Sequence, residues 1–246
     1  MAFQTVFKRY ELKYLLTAEQ KNKVLTAMVP YMIPDKYGKT TIRNIYYDTD
    51  TYLLIRRSID KPIYKEKLRV RSYCQARSDS TVFVELKKKY KHIVYKRRLS
   101  LSEEKAVEWL EKNNRSFAPT QISEEIEYFR DYYKTLCPKM FISYEREAFF
   151  ANNGSDFRVT FDDSILCRTE ELSLQNGVYG TPILPEGRVL MELKCPGAIP
   201  LWMTDVLSKE HIYKTSFSKY GTAYQQIIFP QLNGIHKTNT EVAVNV

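Results

Sequence analysis

Glycine, cysteine and histidine are all scarce in this sequence. Its 246 residues include eight glycines, four cysteines and three histidines. So few glycines argue against a glycine-rich loop that cradles a nucleotide. The cysteines have no CxxC spacing and no histidine at ligand spacing, so neither a zinc site nor a disulfide framework is expected.

Long apolar runs are also missing. No stretch approaches the ~20 apolar residues that cross a bilayer. The first residues, MAFQTVFKRYELKY, lack the apolar segment of a signal peptide. We therefore expect a cytoplasmic protein without a membrane span of its own.

The composition is otherwise that of a globular protein with a basic balance. Hydrophobic residues make up 43% and charged residues 27% of the chain, enough to bury one sizeable core. We predict a single domain over 1–230 and a flexible tail over 231–246. The formal net charge of +9 points to an anionic partner: nucleic acid, an acidic membrane surface or a small anion.

Residue periodicity predicts a mixture of helices and strands. Thr17 begins a helix, Gln20 completes a capping box, and Pro30 ends the helix. Further helices are predicted over 103–112 (capped by Ser102), 122–135, 200–209 and 216–229. Strands are predicted over 3–14, 41–48, 65–73, 81–90, 92–101, 140–149, 157–163 and 188–194. About eight strands with helices between them predict an α+β fold whose antiparallel sheet closes into a barrel.

Charged and apolar residues alternate along most of these strands. Lys67, Arg69 and Arg71 share one face of their strand, opposite Leu68 and Val70, because residues two apart point to the same side. From residue 65 to residue 98 the chain has twelve Lys or Arg against three acidic residues. Other strands carry these same-face polar sets: Arg9, Glu11 and Lys13; Glu85, Lys87 and Lys89; Lys96 and Arg98; Tyr144 and Arg146; Arg158, Thr160 and Asp162; Glu192 and Lys194.

Three interpretations fit a basic, alternating sheet. The solvated face of an amphipathic sheet explains the alternation, but it would mix charges of both signs because like charges on neighbouring strands repel. A nucleic-acid surface would use tyrosines for stacking, but Tyr10, Tyr14 and Tyr95 lie on the opposite parity to the cations. A barrel with a cationic lumen, neutralised by a polyanion, accounts for both features. We therefore favour the barrel and expect no nucleic acid as partner.

Several short segments together resemble the VTC domain, the catalytic domain of polyphosphate polymerases. They are RYELKY at 9–14, LRVR at 68–71, VELKKK at 84–89, YER at 144–146, FRVTFD at 157–162, MELK at 191–194 and SFSKYG at 216–221. The resemblance implies a triphosphate tunnel metalloenzyme, an eight-stranded antiparallel β-barrel with a cationic lumen and helices packed outside. It also implies transfer of the γ-phosphate of ATP to a growing inorganic polyphosphate chain, with Mn²⁺ or Mg²⁺ as cofactor.

The resemblance further implies roles for individual residues. Glu192 would hold the divalent metal, and Tyr144 would lie beside the phosphate path. We predict a catalytic set of cations that comprises Lys13, Arg69, Arg71, Lys87, Arg146, Arg158 and Lys219. The predicted phosphate-binding set comprises Lys67, Lys89, Lys96, Arg98, Tyr144, Glu11 and Glu85.

Position 9 departs from the pattern of the related hydrolases. Triphosphatases of this superfamily carry ExExK on the first strand, whereas here the first of these positions is Arg9. One carboxylate is lost and one cation is gained, which favours transfer to an anionic acceptor over hydrolysis. Glu11 and Glu85 remain, either as metal ligands or as ion-pair partners of the cations. An inorganic triphosphatase and a non-catalytic polyphosphate-binding module therefore stay as alternatives, and any delivery of product across a membrane would need a separate membrane partner.

Overall fold

The computed structural model describes residues 6–7, 10–91 and 93–234. The prediction that rests on Arg9, the start of the predicted strand at His92, and the predicted tail from residue 235 onward lie outside the described residues. Within the described residues the strands form one sheet of twelve strands, and all paired neighbours run antiparallel.

The strands follow the predicted segments closely, with four short additions or divisions. They are β1 (Val6–Phe7), β2 (Tyr10–Thr17), β3 (Met32–Pro34), β4 (Thr40–Asp48), β5 (Tyr64–Tyr73), β6 (Thr81–Tyr90), β7 (Ile93–Ser102), β8 (Cys137–Ala151), β9 (Arg158–Arg168), β10 (Thr181–Pro182), β11 (Arg188–Cys195) and β12 (Lys214–Thr215). Their order across the sheet is β1-β7-β6-β5-β4-β8-β9-β11-β2-β12, with β3 paired to β8 and β10 to β9. The predicted strand over 3–14 is thus divided, since β1 pairs with β7 while β2 pairs with β11.

The helices are α1 (Ala18–Met28), α2 (Leu53–Ile59), α3 (Glu103–Glu111), α4 (Gln121–Tyr133), α5 (Leu201–Lys209), α6 (Lys219–Ala223) and α7 (Phe229–Leu232). Two predicted helix starts are confirmed. Thr17 and Gln20 form a reciprocal capping box at α1, and the Ser102 hydroxyl accepts from the Lys105 amide at α3. The helix predicted over 216–229 is present but divided, because a π-helical turn over Tyr224–Ile228 joins α6 to α7.

Helix α2 was not predicted, because its cap lies outside its own sequence. The carboxylate of Asp48, at the end of β4, accepts hydrogen bonds from the amides of Leu54 and Ile55 at 2.9 and 3.0 Å. The same carboxylate accepts from the Tyr220 hydroxyl of α6 at 3.1 Å. Asp48 therefore satisfies the free amides at the start of α2 and ties that helix to α6.

The sheet has twelve strands rather than the predicted eight, and the described strand pairings do not show a closed barrel. The described pairings run from β1 to β12 without a ladder that joins these two ends. The sheet is nevertheless strongly curled. Lys87 Nζ of β6 lies 3.3 Å from Glu11 Oε2 of β2, although five strands stand between β6 and β2 in the sheet order.

Two of the three apolar clusters lie on the outer face of the curled sheet, where helices cover them as predicted. In the first, Leu68, Val84 and Leu86 pack with residues of α3 and α4, including Trp109 and Phe129. A second cluster packs the outer residues of β2, β9 and β11 against α1 and α5. Burial of these strand residues fixes the parity of the sheet, so the alternate residues face inward.

The inner face is only partly polar, which corrects the prediction of a polar lumen throughout. Ile42, Ile142 and Leu190 point inward and form a third apolar cluster with Tyr220 and Tyr224 from the C-terminal helical segment. Helix α6 thereby packs against the inner face of the sheet. Apolar residues occupy one part of that face, and the charged residues occupy the rest.

Candidate functional site

Charged side chains from seven strands and one helix converge on the polar part of the inner face. Ten cationic residues lie there, namely Lys13, Lys67, Arg69, Arg71, Lys87, Lys96, Arg98, Arg146, Lys194 and Lys219. Four carboxylates lie among them, those of Glu11, Glu85, Asp162 and Glu192. We call this set the inner charge cluster.

Glu85 of β6 collects three cations from the two neighbouring strands. Its Oε2 accepts from Arg69 Nε at 2.8 Å, and its Oε1 accepts from Arg98 Nε at 2.8 Å and from Lys96 Nζ at 2.6 Å. The Glu85 side chain is 1% exposed. Burial opposes its ionisation, but the charges of Arg69 and Arg71 hold the pKa of Glu85 well below its usual range.

Asp162 of β9 holds the second group of cations. It accepts from Arg146 Nε and Nη2 through its two oxygens, both at 2.6 Å, and from Lys219 Nζ at 2.6 Å. Burial opposes its charge, but Arg146 and Lys219 hold the pKa of Asp162 below its usual value. Asp162 was not among the predicted site residues, although its parity with Arg158 and Thr160 was visible in the sequence.

Glu192 of β11 has four cationic neighbours at longer distances. Lys219 Nζ and Lys13 Nζ lie 3.3 and 3.5 Å from its Oε1. Lys194 Nζ and Arg146 Nη2 lie 3.4 and 3.5 Å from its Oε2. Lys194 was also missed as a site residue, and the available signal was its position two residues after Glu192 on the same face.

Glu11 connects the two ends of the curled sheet. Its Oε1 lies 3.3 Å from Lys13 Nζ, and its Oε2 lies 3.3 Å from Lys87 Nζ. In this structure Glu11, like Glu85, is an ion-pair partner of the cations. Lys13 Nζ also donates to the Phe217 carbonyl at 2.9 Å, which joins β2 to the segment before α6.

Lys67, like Arg71 on the same strand, has no carboxylate of the described residues within ion-pair distance. Its Nζ donates to Ser218 Oγ at 3.0 Å. Desolvation and the charges of Lys13 and Lys87 lower the pKa of Lys67 to about 7. Ser218, which also caps α6, was not predicted as a site residue, and the sequence offered no signal for it beyond the SFSKYG segment.

Tyr144 of β8, which was predicted to lie beside the phosphate path, lies among the cations of the inner charge cluster. Its hydroxyl accepts from Arg71 Nη2 at 3.1 Å. Arg146 and Lys219 lie over its ring, at 5.0 and 4.5 Å from the centroid. Burial raises the pKa of a phenol, but Arg146 and Arg71 outweigh it here and lower the pKa of Tyr144.

Two predicted residues lie toward the margins of the inner face. Lys89 stands directly opposite Lys65 across β5 and β6, just as Lys67 stands opposite Lys87. Arg158 is 42% exposed in its side chain and lies 3.4 Å from Asp156. These two cations are therefore near the Glu11 side of the cluster but outside its network of short ion pairs.

A divalent metal fits this site through one carboxylate rather than through a cage. Among the described residues, no group of three His, Cys, Asp or Glu side chains could hold a metal ion. The oxygens of Asp162 are taken at 2.6 Å, whereas those of Glu192 are contacted only at 3.3–3.5 Å. Mg²⁺ and Mn²⁺ favour carboxylate and phosphate oxygens. Glu11 is likewise contacted only at 3.3 Å, so Glu192, the predicted ligand, is one of two carboxylates in the cluster whose oxygens are available to such an ion.

Two solved structures are similar to this one at low sequence identity. A candidate adenylyl cyclase from Hippeastrum with a dominant triphosphatase activity is 12% identical, with a TM-score of 0.51 over 87% of this chain and 94% of that chain. A candidate adenylate cyclase from Bacillus halodurans is 13% identical, with a TM-score of 0.48 over 97% of this chain and 96% of that chain. These likenesses concern the fold alone. Comparison with curated protein sequences finds no match.

The family is shown by the sequence itself. A family model described as the VTC domain matches residues 8–228. The chain therefore belongs to the VTC domain family, and the predicted family is confirmed. No helix of the described residues is long and apolar enough to span a bilayer.

Proposed function

We propose that this protein is an ATP-dependent polyphosphate polymerase. Its substrates are ATP and inorganic polyphosphate, and its inner charge cluster is the site where phosphoryl groups bind and react. The observation that carries the proposal is the excess of cations in that cluster, ten against four carboxylates. Like charges packed this closely repel, and a chain of phosphates would neutralise them.

The reaction needs positioning and charge neutralisation more than covalent help. A terminal oxygen of the polyphosphate attacks the γ-phosphorus of ATP, the bond from that phosphorus to the β–γ bridging oxygen breaks, and ADP leaves. The attacking oxygen is already anionic, so no proton has to be removed from it. Arginines such as Arg69 and Arg71 can hold phosphate oxygens through forked donors, and lysines such as Lys219 supply point charges.

Glu192 is the proposed ligand of the divalent metal, with phosphate oxygens and water completing the coordination. When bound, the ion would neutralise charge that develops on the transferring phosphoryl group. Asp162 has a different role in this proposal. It orients Arg146 and Lys219, which it contacts at 2.6 Å, toward the phosphates.

An inorganic triphosphatase is the second candidate. Glu11 supports it, because this carboxylate shares Lys13 with Glu192 and could help to orient a water. The triphosphatase activity named for the Hippeastrum protein of similar fold points the same way. A cytoplasmic location and delivery of product by a separate membrane protein remain parts of the proposal.

Product analysis separates these candidates. Purified protein is incubated with ATP and Mn²⁺, and the products are resolved by gel electrophoresis and nucleotide chromatography. A polymerase yields ADP and long polyphosphate in step, whereas a triphosphatase that acts on ATP yields ADP and free inorganic phosphate without polymer. Tight binding of tripolyphosphate, with no turnover in the presence of Mn²⁺ or of Mg²⁺, would instead indicate a non-catalytic binding module.

Two variant pairs test the site. Glu192→Gln should abolish turnover while metal-free binding of tripolyphosphate persists, and Glu147→Gln is its control on the outer face, where Glu147 pairs with Lys21. The double substitution of Arg69 and Arg71 to Ala should weaken tripolyphosphate binding. The exposed pair Arg56 and Arg57 on α2, both changed to Ala, removes the same charge elsewhere. Equal affinity in the two double variants would refute binding at the inner charge cluster.

A further inference from the structure

The hydroxyl of Thr160 is buried and has no hydrogen-bond partner among the described residues. Thr160 lies in the middle of β9 and is 6% exposed. Buried hydroxyl groups almost always have a partner, because leaving one unpaired costs stability. An unpaired hydroxyl that faces the inner charge cluster is therefore a candidate to bind a ligand there.

Thr160 points into the inner charge cluster. Its strand neighbours Val159 and Phe161 belong to the apolar cluster on the outer face, so alternation directs Thr160 inward. Across the sheet, Thr160 stands directly between Ala148 of β8 and Glu192 of β11, and Glu192 stands opposite Lys13 of β2.

None of these neighbours forms a hydrogen bond with the hydroxyl in this structure. Ala148 carries only a methyl group and so offers no polar side-chain atom. The carboxylate of Glu192 is shared by four cations. On the same face of β9, Asp162 is held by Arg146 and Lys219.

We propose that the Thr160 hydroxyl binds an oxygen of the triphosphate or polyphosphate beside Glu192, as a phosphate-binding residue additional to the cations. This inference rests on the proposed function of the cluster. A threonine hydroxyl has one hydrogen to donate, and a phosphate oxygen accepts. Being neutral, the hydroxyl fixes one phosphate oxygen without adding to the repulsion among the cations.

Replacing Thr160 tests the proposal. Thr160→Val keeps nearly the same shape and removes the hydroxyl, whereas Thr160→Ser keeps it. Tripolyphosphate binding is measured by calorimetry without metal and with Mn²⁺. Loss of a hydrogen bond to a charged group predicts roughly tenfold weaker binding for the Val variant and about twofold or less for the Ser variant.

Ser143 provides the matched control. Its hydroxyl is also buried without a partner among the described residues, but Ser143 stands opposite Arg43 on the outer parity of β8. Ser143→Ala should bind tripolyphosphate like the unmodified protein. Melting temperatures check that the variants fold, and Thr160→Ala replaces Val if the Val variant does not.

The outcomes are distinct from those of the proposed function. If the unmodified protein binds no triphosphate, the proposed function itself is wrong. If it binds and the Val variant binds equally well, the role of Thr160 is wrong while the proposed function stands. Weaker binding in the Val variant alone, with unchanged melting temperature, supports Thr160 as a phosphate ligand.

Discussion

Arg146 and Asp162 form a two-pronged ion pair across β8 and β9. Arg146 Nε donates to Oδ1 and Nη2 donates to Oδ2, both at 2.6 Å, and the Asp162 side chain is fully buried. The two residues are directly opposite each other in the strand register. This pair, with Lys219 added, fixes the orientation of two cations that the sequence marks as catalytic candidates.

Removing the charge of Asp162 should destabilise the fold. Asp162→Asn removes the closer of the two carboxylates that Arg146 and Lys219 contact and leaves only Glu192, at 3.3–3.5 Å. We expect a loss of about 3 kcal/mol in the free energy of unfolding. Urea denaturation followed by tyrosine fluorescence measures it. The adjacent Asp163, which pairs with the half-exposed Lys39, is the control, and Asp163→Asn should cost less than about 1 kcal/mol. Equal losses in the two variants would contradict the assigned role of Asp162.

Glu85→Gln should make the stability of the folded protein depend on a bound anion. Without the carboxylate, Arg69, Lys96 and Arg98 repel one another, and the ligand-free protein should lose about 3 kcal/mol of stability. Tripolyphosphate should restore it, because a ligand that binds only the folded state stabilises that state. The measurement is the melting temperature with and without tripolyphosphate.

The ligand-induced rise in melting temperature should be larger for Glu85→Gln than for the unmodified protein. Glu186→Gln, at an exposed position, makes the same chemical change outside the cluster and should leave the rise unaltered. A smaller rise in the Glu85 variant would mean that this carboxylate helps to bind the anion. It would contradict the idea that Glu85 neutralises the cations when no anion is bound.

Binding of tripolyphosphate should weaken as the pH rises above 7. The pKa of Lys67 is lowered to about 7 in the ligand-free protein, and a bound polyanion favours the protonated form and so raises that pKa. Above pH 7, binding must therefore take up a proton at Lys67, and this uptake becomes less favourable as the pH increases. Calorimetry in buffers of different ionisation enthalpy measures the number of protons that are taken up on binding.

Lys67→Met should lose part of that proton uptake. Lys96, whose pKa is also lowered to about 7 by burial, should account for the remainder. Lys88→Met is the control, since Lys88 has the outer parity of β6 and lies 4.0 Å from Glu66. Ionisation of tripolyphosphate itself contributes equally to all three proteins and cancels in the comparison. Unchanged proton uptake in the Lys67 variant would assign the titration to another group.

Asp48 should be required for the packing of the C-terminal helical segment. Asp48→Asn replaces an acceptor oxygen by an amide group that cannot accept from the amides of α2, and we expect a loss of about 2 kcal/mol. Asp50→Asn is the neighbouring control, because Asp50 is 66% exposed where it pairs with Lys139. Hydrogen exchange of α2 and α6 should accelerate in the Asp48 variant only.

Strand parity was sufficient to predict much of the site. Arg69, Arg71 and Glu85 lie on the inner face because Leu68, Val70 and Val84 must be buried on the other. The helix starts at Thr17 and Ser102 were also predictable, since the capping residues and their partners are three residues apart. These predictions succeed because they depend only on residues close together in the sequence: the two-residue alternation along a strand and the three-residue spacing of a helix cap.

The remainder depends on contacts between residues far apart in the chain. Parity alone did not reveal that Ile42 and Ile142 share the inner face with the cations, because alternation does not say how far a helix covers that face. Asp162 gains its importance from Lys219, 57 positions later. The start of helix α2 is capped by Asp48, whose carboxylate also accepts from the Tyr220 hydroxyl. No local sequence pattern predicts this contact between distant residues.

The facing lysines of β5 and β6 have a practical consequence. Lys65 opposes Lys89 and Lys67 opposes Lys87, and Lys87 in turn opposes Lys96 of β7. Such a surface acts as a small anion exchanger that concentrates multivalent ions from the medium. We therefore expect the protein kept in phosphate or sulfate buffer to be already partly loaded, so its intrinsic affinity for phosphate chains should be measured after exchange into a monovalent salt.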